Sequence, residues 1–339
     1  MEKKSPLIGL TLEGLRRVTA GCGMPQFAAK QIARRLYVNR ATSIQEMTEL
    51  SKQARARLED KYEVGLHAPL TEVRSTDGTV KYLFPGVGGR DIESVYIPDG
   101  DRATLCVSSQ AGCKMNCSFC MTGRQGFHGN LTAADIMNQI LSIPESETLT
   151  NLVFMGMGEP LDNLGPVLDA IEILTAPWGM AWSPKRITVS SIGKIKELKT
   201  LIETTKVHIA ISLHSPYPSE RASLMPVEKG MPIRDVLELL RNYDFAHQRR
   251  LSFEYIMFRG VNDDARHCRE LAKILRGLDS RVNLIRFHAI PDSDLQPCSM
   301  AQMERFRDQL NEDGITATIR ASRGEDIMAA CGMLAGKSK

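Results

Sequence analysis

The feature that most constrains the fold is an alternation of β-like and helical segments that begins at about residue 101. Short apolar runs rich in β-branched residues predict seven strands, at 103–108, 151–155, 186–190, 207–212, 251–257, 281–287 and 315–320. Helical patterns lie between them, for example at 132–142, 232–242, 264–276 and 300–312. Sustained alternation predicts a parallel sheet with right-handed crossovers. Because six or seven units do not complete an eight-fold barrel, we expect an α/β fold with a partial (β/α)6 TIM-like barrel, binding ligands at the C-terminal strand ends.

The first hundred residues show two other patterns. Residues 1–62 are predicted to form a small helical domain, because Phe27, Ile32 and Leu36 recur at near-helical spacing. Residues 63–100 are predicted to form a short antiparallel β extension, with β-like runs at 70–73, 80–84 and 92–97. The main domain would then comprise residues 101–339.

The positive charge of the chain is concentrated at its N-terminus. Residues 1–61 contain twelve Lys and Arg against six Asp and Glu, whereas the remaining residues contain 31 against 34. A small basic domain on a mildly acidic body is typical of an appendage that binds a polyanion. A solvated helical surface explains the charge equally well, and the charge alone leaves both interpretations open.

The chain lacks the sequence signals of export. No sustained apolar run follows Met1, and no apolar stretch approaches the roughly 20 residues that a membrane span requires. We therefore expect a cytoplasmic protein with no membrane partner. The eight cysteines are then not expected to form a structural disulfide framework, and clustered reduced cysteines indicate a metal or redox role.

The strongest local motif is a Cys-x3-Cys-x2-Cys triplet directly after the first predicted barrel strand, formed by Cys113, Cys117 and Cys120. Three thiolates can bind three irons of a 4Fe–4S cluster, which normally takes four cysteine ligands. The fourth iron would stay open to a ligand, as the open position does in catalytic zinc sites. The alternative is a zinc site, for which His128 could supply the fourth ligand.

The triplet belongs to the first of several sequence blocks that are distributed along nearly the whole chain. These blocks are Arg102–Gln110 continuing through the triplet to Gly123, Phe154–Leu161, Ser212–Ser215, Arg323–Ile327 and Ala329–Gly332. In content and order they resemble the RlmN/Cfr family of radical S-adenosylmethionine (SAM) adenosine methyltransferases. The resemblance implies a 4Fe–4S cluster and SAM as cofactors, with the triplet as the metal ligands.

The resemblance also implies three catalytic residues. Cys331 matches the cysteine that receives a methyl group from one SAM and, after a radical derived from a second SAM removes a hydrogen atom, carries it to the adenine. Cys106 matches the cysteine that resolves the resulting protein–RNA adduct by forming a disulfide with Cys331. Glu93 lies where the family has its proposed proton acceptor. Without the resemblance, Cys106 would be interpreted as a buried strand cysteine and Glu93 as an exposed strand position.

Further residues match SAM contacts of the family. Gly158 and Glu159 belong to a motif after the second strand, in which glycine lets the backbone approach a ligand. The other matches follow later strands and are Ser190, Ser212, Leu213, His214 and His288. His288 replaces an Asn of many members, although a histidine can also make a polar contact with SAM.

The implied substrate is structured RNA. Family members methylate adenosine 2503 of 23S ribosomal RNA, one branch at carbon 2, in some cases with adenosine 37 of transfer RNA, and the other at carbon 8. Pro160 favours the carbon-2 branch, because the other branch typically has Ala there. An electron donor such as flavodoxin is expected. The predicted phosphate contacts of the basic N-terminal segment are Arg34, Arg35, Arg40, Lys52, Arg55 and Arg57.

Two other functions compete with this hypothesis. A different radical SAM enzyme, acting on a protein or a metabolite, would not need Cys331, Cys106 or a basic N-terminal segment. A zinc-dependent RNA-binding module would need the triplet but no cofactor chemistry. The remaining cysteines match no family role and are interpreted as core or surface residues, namely Cys22, Cys268 and Cys298.

Overall fold

The computed structural model describes residues 4–246 and 249–336. Its strands are β1 Ser5–Pro6, β2 Tyr62–Glu63, β3 Thr71–Arg74, β4 Val80–Phe84, β5 Ile92–Asp99, β6 Arg102–Cys106, β7 Gln110–Gly112, β8 Phe127–Asn130, β9 Asn151–Phe154, β10 Ile187–Ser191, β11 His208–Ser212, β12 Leu251–Met257, β13 Arg281–Arg286 and β14 Thr316–Arg320. Its α-helices are α1 Leu12–Gly21, α2 Ala28–Ala33, α3 Lys52–Glu59, α4 Met121–Arg124, α5 Ala133–Leu141, α6 Leu164–Thr175, α7 Ile195–Thr204, α8 Pro218–Leu224, α9 Ile233–Leu240, α10 Ala265–Leu275 and α11 Met300–Glu312.

A ten-stranded mixed sheet organises the molecule. Its parallel part runs in sequence order, β6-β9-β10-β11-β12-β13-β14. Strand β12 is buried along its whole length, which explains why Leu251–Met257 is an almost continuous apolar run. The predicted α/β fold with an open, partial barrel is confirmed, and each predicted strand lies within two residues of its observed bounds.

Helices cover the parallel sheet and bury one face each. In α9, Ile233, Val236, Leu237 and Leu240 are buried, and this spacing places them along a single stripe. Helix α5 begins at a capping box, in which Thr132 accepts a hydrogen bond from the backbone N–H of Asp135. Within the described residues, no helix has the length and apolar character needed to cross a bilayer.

The predicted β extension continues the main sheet. Strands β3, β4 and β5 pair antiparallel, and β5 pairs antiparallel with β6, Val95 lying opposite Cys106. A tight turn at Gly100 joins these two strands, and its positive φ of 56° is a conformation that glycine adopts without strain. The extension is therefore rigidly joined to the first barrel strand.

The N-terminal segment is helical, as predicted, and packs against the barrel. Tyr37 is buried, its hydroxyl donates a hydrogen bond to the Leu10 carbonyl (2.7 Å), and its ring lies 6.1 Å from the Trp178 ring. The Arg40 guanidinium donates to the Ser146 carbonyl (3.1 Å). The buried residues of these helices and of the barrel belong to one apolar cluster, so the division of the chain at residue 62 stays a prediction.

Candidate active site

A cavity of about 190 Å³ opens at the C-terminal ends of the parallel strands. This is where a parallel sheet leaves its loops free to bind a ligand. Ten of the thirteen site residues expected from the sequence line this cavity: Cys106, Cys113, Cys117, Cys120, Gly158, Glu159, Ser190, Ser212, His214 and Cys331. Glu93, Leu213 and His288 lie outside its lining.

The cysteine triplet is shaped by a short hairpin, β7–β8, and by α4. The Cys113 N–H donates to the Gly126 carbonyl (2.9 Å), and the Cys120 N–H donates to the Cys117 carbonyl (3.2 Å). Gly112 has φ +73°, and a Cβ atom there would lie 1.9 Å from the Gly126 oxygen. This backbone therefore requires glycine at 112, and it directs all three thiols toward one cavity.

The three thiols fit an iron–sulfur cluster. Burial raises the pKa of Cys113 to about 12 and that of Cys117 well above its usual value, and the pKa of Cys120 is also raised. Buried thiols of this kind ionise when a cation compensates their charge, and iron supplies that charge. In residues 4–246 and 249–336 no three His, Cys, Asp or Glu side chains converge on a single-ion site. In a cluster, by contrast, each thiolate binds its own iron.

The zinc alternative loses its proposed fourth ligand. His128 lies outside the cavity, and its Nε2 is 3.0 Å from the Gln125 carbonyl oxygen. The ring is therefore engaged by its own hairpin and is not directed at the triplet.

The segment after β9 brings backbone against the cavity. A Cβ atom on Gly156 would lie 2.7 Å from the Val107 carbonyl oxygen, and one on Gly158 (φ +99°) would lie 2.5 Å from the Gln110 Cβ. The Glu159 carboxylate accepts hydrogen bonds from the N–H groups of Leu161 (3.0 Å) and Ile192 (3.1 Å). Burial raises its pKa to about 7. Glu159 thereby links the loops that follow β9 and β10. The space beside these loops is open because positions 156 and 158 are glycines, and a larger side chain at either position would collide with its neighbours.

His214 contributes a neutral ring to the cavity wall. Its Nδ1 accepts a hydrogen bond from the Ile256 N–H (3.0 Å), so the ring proton is on Nε2. Burial lowers its pKa to about 3. The preceding Leu213 side chain is fully buried in the apolar core, and its carbonyl accepts from the Arg221 Nε (3.0 Å). Leu213 therefore supports the loop from behind.

Cys331 is held over the triplet by the C-terminal segment. The Gly332 carbonyl accepts from the Met121 N–H, and the Leu334 carbonyl accepts from the Thr122 hydroxyl (both 2.8 Å). The Glu93 carboxylate accepts from the N–H groups of Ala335 (2.6 Å) and Gly336 (3.0 Å). In this conformation Glu93 anchors the segment that carries Cys331.

The β extension holds the same segment further upstream. Asp77, in the β3–β4 turn, accepts a hydrogen bond from the Gly324 N–H (2.9 Å). The Ser75 hydroxyl donates to Asp326 (2.6 Å), and Arg323 pairs with Asp99 (2.9 Å). These contacts position the approach to Cys331, and sequence reasoning gave no indication of them.

Cys331 and Cys106 line the same cavity, and both are free thiols. Cys331 is exposed, whereas Cys106 is buried at the end of β6. Burial, and to a smaller extent the nearby Cys331, raise the pKa of Cys106 to about 12. One cysteine is thus open to reactants while the other stays protonated beside it.

Arg320, at the end of β14, was missed by sequence reasoning. Burial alone would lower its pKa, but the neighbouring Cys331, Glu254 and Cys106 raise it. Its guanidinium lies 3.5 Å from the Glu254 carboxylate, which itself accepts from Asn283 (2.8 Å). The available signal was Glu254, a charged residue inside the apolar run of β12.

A second cavity, of about 230 Å³, adjoins the first and shares Arg320 and Cys331 with it. His288 lines this cavity, with Nε2 3.0 Å from the Ser322 hydroxyl and Nδ1 3.1 Å from the Glu325 carboxylate. Cys331 therefore faces two connected spaces, and His288 belongs to the outer one.

The six basic residues expected at the N-terminus divide into two groups. Arg35 pairs with Glu49 (2.6 Å), Arg40 donates to Ser146, and Arg55 donates to the Gln45 carbonyl (2.7 Å). The other three are exposed and form no ion pair within the described part of the chain, namely Arg34, Lys52 and Arg57. The remaining cysteines, Cys22, Cys268 and Cys298, are all buried.

Comparisons with known proteins agree with this geometry. Residues 107–272 match the sequence model of the radical SAM superfamily, and residues 6–64 match that of the ribosomal RNA large subunit methyltransferase N-terminal domain. A crystal structure of a radical SAM methyltransferase from Sphaerobacter thermophilus superposes with a TM-score of 0.91 at 39% identity, covering 98% of this chain and all of that one. Fold and site together define a radical SAM enzyme that binds a 4Fe–4S cluster and SAM.

Its relatives narrow the class further. The chain is 60% identical to the probable dual-specificity RNA methyltransferase RlmN of Bacteroides fragilis, covering 98% of this chain and 96% of that protein. It is 40% identical to the dual-specificity RNA methyltransferase RlmN of Marinomonas sp., covering 98% and 94%. The chain belongs to the RlmN family of SAM-dependent RNA methyltransferases.

Proposed function

We propose that the chain methylates carbon 2 of adenosine 2503 in 23S ribosomal RNA, and adenosine 37 of transfer RNA as a second substrate. The observation that carries the proposal is the placement of Cys331, Cys106 and the triplet around one cavity. A radical SAM enzyme acting on a metabolite would need the triplet but neither of the other two cysteines. The relatives are named dual-specificity RNA methyltransferases, which favours two RNA substrates.

In this proposal each cysteine has a separate task. Cys113, Cys117 and Cys120 would hold the cluster, which together with SAM supplies the one-electron chemistry that an unreactive adenine carbon requires. The Cys331 sulfur would form a bond to the methyl group and later release it as part of the product. Cys106, after giving up its proton, would then attack that sulfur and form a disulfide, while the bond between the sulfur and the methylene carbon breaks. The electron pair of that bond and a proton would pass to the carbon, which completes the methyl group and frees the RNA. An external reductant would restore both thiols.

The surroundings of Cys331 support the first of these steps. Methyl transfer requires the thiolate, because the thiol is a poor nucleophile. Arg320 is a half-buried cation close to both sulfurs, and its guanidinium lies beside the Glu254 carboxylate. Arg320 therefore places a positive charge near the sulfur to which this proposal assigns the methyl group.

The outer cavity is the proposed entrance for the target base. An adenine in folded RNA must be unstacked before a side chain can reach its carbon atoms. Cys331 lies where the outer and inner cavities meet, so a base in the outer one would approach the sulfur. Oε2 of Glu93 accepts from the N–H groups of Ala335 and Gly336, and Oε1 is paired with the Lys81 ammonium (3.1 Å), so Glu93 would accept a proton only after giving up some of these contacts. The proposal therefore includes a rearrangement of the C-terminal segment during turnover.

The assignment of methylation to carbon 2 of the adenine depends on a single residue. Pro160 follows Glu159 and begins a 3-10 turn, and it favours the carbon-2 branch of the family. Methylation at carbon 8 is the alternative. The division of labour, with the exposed N-terminal basic residues binding RNA and the barrel performing chemistry, is part of the same proposal.

The test is a nucleoside analysis. Reconstituted protein, SAM and a reducing system such as flavodoxin with its reductase are incubated separately with 23S ribosomal RNA and with transfer RNA, and the digested nucleosides are identified by mass spectrometry. We expect 2-methyladenosine in both RNAs, and none with the Cys331→Ala variant. Appearance of 8-methyladenosine would contradict the carbon-2 assignment. Methylation of ribosomal RNA alone would contradict transfer RNA as a second substrate.

A further inference from the structure

A basic cavity of about 340 Å³ lies at the opposite end of the parallel sheet, where β10 to β13 begin. Five basic residues line it, Lys185, His208, Arg249, Arg250 and Arg281, together with one carboxylate, Asp279. His208 and Arg281 are the first residues of β11 and β13, and Arg250 directly precedes β12. The seven residues of β12 span about 23 Å, so this basic cavity is remote from Cys331.

Among the described residues, few carboxylates offset the positive charge of the basic cavity. Among the ion pairs of residues 4–246 and 249–336, none involves Lys185, Arg249, Arg250 or Arg281. Asp279, the one carboxylate in the lining, also forms no ion pair in this part of the chain. Four Lys and Arg side chains thus share a concave surface with a single carboxylate.

Arg249 is the most informative of these residues. Its side chain is 93% buried, since its relative exposure is 7%. Nη2 donates to the Ile202 carbonyl (2.9 Å) and to the Thr205 carbonyl, whereas Nη1 is shielded from solvent and has no hydrogen-bond partner. A buried guanidinium nitrogen without a partner is costly, and proteins retain such a group where a ligand completes its bonding.

His208 adds a neutral donor beside the cations. Its Nδ1 accepts a hydrogen bond from the Arg250 N–H (2.6 Å), which places the ring proton on Nε2. Burial, followed by the charges of Arg250, Lys185 and Arg249, lowers its pKa to about 4. The pKa of Arg250 is also lowered, by burial and then by Arg281 and Arg102. The groups around the basic cavity repel further positive charge, and an anion between them would relieve that repulsion.

We propose that the basic cavity is a binding site for a phosphate-bearing ligand. Guanidinium groups donate paired hydrogen bonds that match phosphate oxygens, and lysine adds a point charge. Its volume lies within the usual range of small-ligand sites and leaves room for more than one phosphate group. A free nucleotide and an RNA backbone both present phosphates of this chemistry. The basic cavity is remote from Cys331, so binding there is separate from the chemistry at that cysteine.

The experiment measures binding to the full-length reconstituted protein by isothermal titration calorimetry, with sodium pyrophosphate as the probe. The test variant is Lys185→Gln/Arg281→Gln, because both side chains are exposed and their loss spares the core. The control variant, Lys229→Gln/Arg259→Gln, removes the same charge from exposed positions outside the basic cavity. We expect saturable binding that weakens at least tenfold in the test variant and changes less than twofold in the control.

Two further arms identify the source of the phosphate. ADP and a short single-stranded RNA are each titrated into the protein with and without pyrophosphate. Competition by ADP would assign a nucleotide, whereas competition by the RNA would assign a backbone phosphate. An independent readout is the pKa of His208 from NMR, which we expect pyrophosphate to raise. Absence of binding, or equal binding by the test variant, would overturn the proposal. Because no methylation is measured, this outcome is separate from failure of the proposed reaction.

Discussion

The two ends of the parallel sheet are opposite in chemistry although the same strands form both. The C-terminal end gathers thiols and a carboxyl group whose pKa values burial raises, as in Cys113 and Glu159. The N-terminal end gathers cations and an imidazole whose pKa values are lowered, as in His208 and Arg250. The groups at the C-terminal end therefore resist becoming negatively charged, and those at the N-terminal end resist becoming positively charged. The comparison indicates that one end is built for a cationic iron cluster and the other for an anion.

The largest expected effect comes from the thiol end. Cys117→Ser replaces a buried sulfur ligand by an oxygen that holds iron poorly, so we expect loss of the cluster and of all RNA methylation. Iron content and visible absorbance of anaerobically purified protein provide the measurement. Cys22→Ala is the matched control, because Cys22 is a buried cysteine in the N-terminal helices. A brown and active Cys117→Ser protein would show that Cys117 is not a cluster ligand, which would contradict the account of the C-terminal end.

The Cys331→Ala variant separates cluster binding from the proposed transfer of the methyl group through Cys331. We expect methylation to fall by about a thousandfold or more, because a covalent nucleophile is lost. The iron content should stay at the level of the parent protein, since Cys331 is not a cluster ligand in this account. Both values are obtained from one preparation by iron analysis and nucleoside mass spectrometry. Substantial RNA methylation by this variant would favour an enzyme that transfers methyl groups without Cys331.

Asp77→Ala tests whether the β extension positions Cys331. The substitution removes the acceptor of the Gly324 and Thr79 N–H groups, which costs about 1–3 kcal/mol for a hydrogen-bonded carboxylate. We expect methylation about tenfold slower with an unchanged cluster. The control is Asp101→Ala, an exposed carboxylate in the β5–β6 turn. Equal rates for the two variants would show that the extension does not position the reactive cysteine.

The smallest expected effect concerns the basic cavity at the N-terminal end of the sheet. Arg250→Gln removes the largest charge acting on His208, so we expect its pKa to rise from about 4 toward the ordinary value. Histidine pKa values lowered in the folded state make unfolding easier as the pH falls. The parent protein should therefore lose stability between pH 6.5 and pH 4, and the variant should lose less of it. NMR titration of His208 and urea unfolding across this range provide the measurements, and an unchanged pKa would contradict the assigned cause.

Much of the fold follows from local patterns. The strand β12 and the helix α9 were predicted within two residues, because a buried run and a helical stripe are visible in a short window. The cysteine triplet was likewise readable, since its ligands are seven residues apart at most. These are features whose cause lies within one element.

The contacts that position Cys331 join residues that are far apart in the sequence. Glu93 and Ala335 are 242 residues apart, and Asp77 and Gly324 are 247 apart, so no periodicity connects them. Arg320 was missed because its environment is supplied by Glu254 and the two cysteines on other elements. The resemblance located Cys331 and Glu93 individually, but their link through the C-terminal segment required the structure.

The most direct test of the account follows a labelled methyl group onto Cys331. Protein purified without SAM is incubated with methyl-deuterated SAM, the peptide containing Cys331 is analysed by tandem mass spectrometry, and RNA is then added under reducing conditions. The account predicts a deuterated methyl group on the Cys331 sulfur first and a deuterium-labelled methyl group on the adenine afterwards. Cys106 and the triplet should carry no label. Labelled RNA from a protein whose Cys331 never carries deuterium would contradict it.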